Sequence, residues 1–261
     1  MSFITSLDTS VNKAMDLLSV SIFAGDMYIL ANDIRGRIRP IAVTILGLCF
    51  VIEFLKIITH EDILKWQTGL KVGAKLVLTY VTLDISSQVL EAIYATGADL
   101  MSMVNNSNMA IGTLVKDNLR TSIEKLTLMQ ALGMVVTLGV AFLIVWFVGI
   151  LVLVIAYGRS IELLLHIAIA PIPCAFLMLE GHNASRMFWK FLMSFAANCL
   201  QGFFIVLSIA LYEKLVLQIF ETAVADGADL AAITGGLLLG VVVLVVMVFK
   251  SGSIAKQILD V

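Results

Sequence analysis

Apolar residues fill this chain in long blocks, and the polar residues that interrupt them are few and regularly placed. Residues 126 to 158 contain no charged side chain, and 128–157 reads LMQALGMVVTLGVAFLIVWFVGILVLVIAY. That run exceeds the ~20 residues that cross the hydrocarbon of a bilayer. Five further hydrophobic segments are expected at about 40–59, 72–94, 163–179, 191–212 and 230–249. The first opens on Pro40, a residue suited to the first position of a helix. Ahead of it Phe3, Ile4, Leu7, Val11, Met15, Leu18 and Ile22 recur at spacings of three and four. This predicts an amphipathic helix lying along the membrane, against a partner, or on its own bundle.

The pattern predicts an all-α fold, a polytopic transmembrane helical bundle of five or six spans with a proline-broken fourth segment. Four regions follow: an amphipathic N-terminal helix region at 1–39, the first two membrane spans at 40–94, a polar central loop at 95–127, and a C-terminal transmembrane core at 128–261. Composition excludes a soluble reading, since 60% of residues are hydrophobic and 14% charged, against ~25% charged in soluble domains. Asp8, Lys13, Asp16 and Asp26 interrupt the first 30 residues, so no cleaved signal peptide is expected. With six spans and both ends inside, eleven of the seventeen basic residues lie on the cytoplasmic face. If the fourth segment re-enters at its prolines, the N-terminus moves outside and nine do. Both versions put the C-terminus in the cytoplasm.

Embedded polar residues are the candidates for function, because each is costly in lipid. Glu53 and Lys56, three apart, can pair. Asp84, Gln88 and Glu91 share a helical face with Tyr80 and Ser87, a stripe that lipid does not suit; it predicts an interhelical or intersubunit contact, or a pore lining. Arg159, Glu162 and His166 fall on one face, as an ion pair capped by the histidine or as a proton relay. A metal needs more ligands than this spacing supplies, and His182 lies beyond two prolines, so no metal site is expected. Pro171 and Pro173 each remove a backbone donor and predict a break. Ser194, Asn198 and Gln201 share a face of the fifth segment and suit either hydrogen bonds across helices or, with the Asp84 stripe, the lining of a wet cavity. Gly236 and Gly240 form a small-xxx-small pair for helix packing, within one subunit or between copies. Arg35, Arg37 and Arg39 precede a span and suit anchoring to lipid headgroups. Cys49, Cys174 and Cys199 lie in apolar surroundings and are expected as buried free thiols. No HExxH, GxSxG or paired intramembrane aspartates occur, so no catalytic residue, enzyme activity or cofactor is expected.

The segment GRSIELLLHIAIAPIPCAFLMLEGHNASRMFWK carries an Arg-x-x-Glu entering an apolar helix, then IAIAPIP, then a Glu-Gly turn and FWKFLMSFAANCLQGF. This order of features resembles the TrbL-like polytopic subunits of type IV secretion and conjugation machines, equivalent to the sixth VirB component. The resemblance spans most clearly residues 128 to 250, and the first 125 match in layout. It implies a non-enzymatic subunit of the bacterial cytoplasmic (inner) membrane, forming a homo-oligomeric ring that supports DNA and protein translocation. Implied partners are membrane lipid, an assembly ATPase, a bitopic scaffold and a pilin-like subunit, with transient contact to passing DNA. A proton-coupled secondary transporter, with its site at the broken fourth segment, is the alternative; it calls for a second, matching broken helix.

Overall fold

The computed structural model describes residues 25–60, 66–105, 128–179, 182–225 and 230–260. These form α1 (Asp26–His60), α2 (Trp66–Asn105), α3 (Leu128–Ile169), the short α4 (Pro171–Ala175), a 3-10 turn (Phe176–Met178), α5 (His182–Ala225) and α6 (Leu230–Ile258). The all-α expectation holds. Among the described residues five stretches are long and apolar enough to cross a membrane: Asp26–Lys56, Gly69–Val104, Trp146–Met178, Arg186–Tyr212 and Leu239–Ile258. The amphipathic helix expected from Phe3 to Ile22 lies outside the described residues.

Three boundaries differ from the sequence reading. The segments expected at 128–157 and 163–179 are one element, because α3 passes Gly158, Arg159, Glu162 and His166 without interruption and bends only at Ala170. A single helical glycine costs only about 1 kcal/mol, too little to end a helix with apolar turns on both sides. Pro40 does not start a helix either; it lies inside α1. One lost backbone bond is tolerated there, between an Asp33–Arg37 pair on one side and the Thr44 hydroxyl donating to the Pro40 carbonyl at 3.0 Å on the other. Finally, α2 continues to Asn105, so the first part of the polar loop expected at 95–127 is helical; the rest lies outside the described residues.

Two compact units share these helices: one made of Ala98–Arg159 and Leu200–Ala255, the other of Ser21–Gly97, Ser160–Cys199 and Lys256–Val261. The core of the first is a ridge of α3, Val148, Val152 and Ala156 at intervals of four, packed on Ile205, Val206 and Ile209 of α5, Val241, Leu244 and Val248 of α6, and Met101 of α2. In the second, Ala42, Leu46 and Cys49 of α1 meet Val72 and Leu83 of α2 and Cys174, Ala175 and Met178 beyond the bend. The bend therefore belongs to the core of its unit, where α4 and the 3-10 turn pack against α1. All three cysteines are buried, and none is in a disulfide among the described residues.

Candidate functional site

The apolar stretch of α1 is closed at both ends by ion pairs. At one end Glu53, 4% exposed, has Lys56 Nζ at 3.4 Å from Oε2. At the other, Arg39 Nη2 lies 2.6 Å from Asp84 Oδ1 of α2, both side chains about half exposed. Residues 40 to 52 between them carry no charge. Arg39 and Lys56 are about 26 Å apart along the helix at 1.5 Å per residue, close to the ~30 Å of a hydrocarbon core.

The Arg39–Asp84 pair joins two residues that the sequence reading kept apart, one as a headgroup anchor and the other as part of a polar stripe. A signal was present: the two stand at nearly equal distances from the five residues between α1 and α2, as an antiparallel helical hairpin requires. Arg37 is likewise engaged, with Asp33 at 3.1 Å. Arg35 is the one arginine of the three without a partner among the described residues. Replacing Asp84 with leucine leaves Arg39 without its carboxylate at the edge of the span. We expect assembly to suffer more than expression; an unchanged native-gel migration of the complex would contradict this.

α2 presents three faces. Val72, Thr79, Leu83, Ser86, Leu90, Tyr94 and Met101 are buried. Leu78, Val81, Ile85, Val89 and Met103 are exposed and apolar, as a lipid-facing surface should be. Beside them runs an exposed polar stripe, Tyr80, Asp84, Gln88, Glu91 and Ser102. Gln88 and Glu91 have no hydrogen-bond or ion-pair partner among the described residues.

Arg159, Glu162 and His166 do not share one environment. Arg159 is 2% exposed, and its guanidinium fills the space left by Gly202 of α5: a Cβ at that glycine would overlap Cζ and both terminal nitrogens. Nothing in the sequence flagged Gly202, since the pairing is fixed only by how the helices pack. Glu162 is exposed. His166 turns back on its own helix, with Nδ1 2.7 Å from the Glu162 carbonyl oxygen. Nδ1 must therefore carry the proton when the ring is neutral, which leaves Nε2 as acceptor for the Ser194 hydroxyl at 3.5 Å. Phe191 and Phe195 flank the ring at centroid distances of 5.4 and 6.0 Å. No group of three or more His, Cys, Asp or Glu among the described residues is placed to hold a metal.

Asn198 is buried and Gln201 half-buried on α5, and Gln201 lies against α6, where a Cβ at Gly252 would stand 3.2 Å from its Nε2. Gly236 serves a contact within the chain: a Cβ there would come 2.7 Å from Ile219 Cγ2. Gly240 is buried. Pro171 and Pro173 are buried at the bend, and the chain leaves helical geometry at Leu179. A small cavity of about 30 Å³ opens beside the bend, lined by Thr82, Ser86, Val89 and Leu90 of α2, Ala170, Cys174, and Phe188, Phe191 and Leu192 of α5. The Thr82 and Ser86 hydroxyls donate to Leu78 and Leu83 carbonyls, so its walls make no polar demand.

Compared with known families, the chain matches the one described as TrbL/VirB6 plasmid conjugal transfer like protein over residues 19–171. The match takes in α1, α2 and α3 up to the bend, and so lies further toward the N-terminus than the 128–250 region in which the sequence resemblance was placed. No curated protein and no solved structure matches it.

Proposed function

We propose, from the premise that the chain belongs to the TrbL/VirB6 plasmid conjugal transfer-like family, that it is a structural and channel subunit of a type IV secretion or conjugative transfer machine. Copies of it form a ring in the cytoplasmic membrane that supports translocation of DNA and protein, with the C-terminus in the cytoplasm. The family match carries this reading. Five apolar helices suit a multi-pass membrane subunit. The exposed polar stripe of α2 suits a chain completed by other protein, since lipid cannot satisfy those side chains.

Assembly ATPase, bitopic scaffold and pilin-like subunits are the partners that such a role calls for. Of the three arginines ahead of the first apolar stretch, Arg37 and Arg39 are held by carboxylates; Arg35 remains for a phosphate of lipid or nucleic acid. Arg159, His166, Asn198 and Gln201 act as joints between helices, and Glu53 and Lys56 as a pair within α1, rather than as reacting groups, while Glu162 stays exposed. Deleting the gene should abolish transfer of the plasmid or element while growth and solute uptake stay normal. Intact transfer overturns the reading, and loss of uptake of one solute replaces it with a transporter.

A further inference from the structure

We propose that copies of this chain associate head to tail, the polar stripe of α2 in one subunit, Asp84, Gln88 and Glu91, docking on Arg186 and Lys190 of α5 in the next. The proposal deepens the ring reading above and rests on it.

Three observations carry it. First, both surfaces are exposed and incompletely used. Gln88 and Glu91 have no partner among the described residues, and neither do Arg186 and Lys190. Second, the charges are complementary, acidic on α2 and basic on α5, and a single chain supplies both. Third, the two surfaces lie at the same height and point in opposite directions. The cavity brings Thr82, Ser86, Val89 and Leu90 of α2 level with Phe188, Phe191 and Leu192 of α5. At 3.6 residues per turn, Asp84, Gln88 and Glu91 fall on the side of α2 away from Thr82, Ser86 and Val89. Arg186 and Lys190, four apart, fall on the side of α5 away from Phe188, Phe191 and Leu192. The acidic and basic faces therefore lie on opposite sides of the α2–α5 pair.

Copies arranged about an axis along the membrane normal all sit at one depth, so only surfaces at equal height can meet. Two different surfaces joined in this way make a heterologous contact, the kind that closes into rings, whereas a two-fold dimer would oppose like with like. Next to the Arg39–Asp84 pair, at the edge of the apolar stretch, water is scarcer than in bulk and opposite charges attract more strongly.

Cysteine cross-linking of the full chain in membranes tests the proposal, and the native cysteines are buried. Glu91→Cys together with Lys190→Cys should give a ladder of cross-linked oligomers with a short bis-maleimide. The two single variants co-expressed should give dimers, and each alone only monomers. With the link moved to Gln88→Cys and Arg186→Cys, Glu91→Lys should lower its yield about tenfold, and adding Lys190→Glu should restore it. Cross-linking of Glu91→Cys to itself overturns the head-to-tail contact, as does its full labelling by a water-soluble maleimide in the assembled complex, which would mean that the stripe lines water. A complex that keeps its mass without these links refutes this surface and leaves the ring standing. A chain that is monomeric in its membrane refutes both.

Discussion

Changing Pro171 and Pro173 together to alanine is expected to bring transfer to background while the protein still inserts. Each proline denies the helix one N–H, so the carbonyls of Ile167 and Ile169 go without their ordinary helical donors. Alanine restores both donors at positions already close to helical, since Ala170 has φ −48° and ψ −36°. α3 would then run straight on. Cys174, Ala175 and Met178 would swing away from Ala42, Leu46 and Cys49, and the contact of α4 with α1 would be lost. Emptying those sites costs on the order of 2–5 kcal/mol. Lipid can fill the space but cannot reproduce the fit of packed side chains, which drives helix association in membranes. Transfer frequency in a complemented deletion strain measures the effect. As a second readout, a cysteine pair reporting Ala42 against Ala175 should lose its cross-link. Normal transfer with that cross-link intact would show that the bend is dictated by surrounding packing and not by the prolines.

Gly202→Ala is the other substitution with a large expected effect. The added Cβ falls on the Arg159 guanidinium, so this buried side chain must be displaced from the place it fills in its unit. Overpacking alone costs about 1–3 kcal/mol, and disturbing the surroundings of a buried cation adds to it. A loss of about 3 kcal/mol or more should appear as a markedly lower unfolding temperature of the detergent-solubilised protein. Arg159→Met in the same chain removes the clash together with the charge, so the double variant should recover part of the loss. That recovery separates a specific Arg159–Gly202 contact from a general aversion to alanine in α5. A Gly202→Ala protein that melts with the natural chain would contradict the packing described.

Much of the fold could be read from residue order because a bilayer imposes one dominant rule, that long uncharged runs become helices. Hence the class, the apolar spans and the bend at Pro171 and Pro173 were legible, as was the possible Glu53–Lys56 contact, a neighbour relation within one helix. Less legible were helix ends. Pro40 and Gly158 look like punctuation, yet each is a single local penalty that the turns on either side absorb. The candidate site was legible in its residue types and not in its pairings. Arg39 reads as a headgroup anchor and Asp84 as part of a stripe until α1 and α2 are laid side by side.

What the sequence determines by itself is the solvent this chain requires and the helical periodicity of its polar residues, since both follow from the cost of unpaired polar groups in hydrocarbon. Only tertiary structure decides which polar side chains are consumed inside the chain and which are left facing outward. Arg159 disappears into the notch at Gly202, whereas Gln88 and Glu91 stay exposed. The physical reason is that burial depends on the distance and angle between helices far apart in sequence, and no periodicity within one helix encodes either.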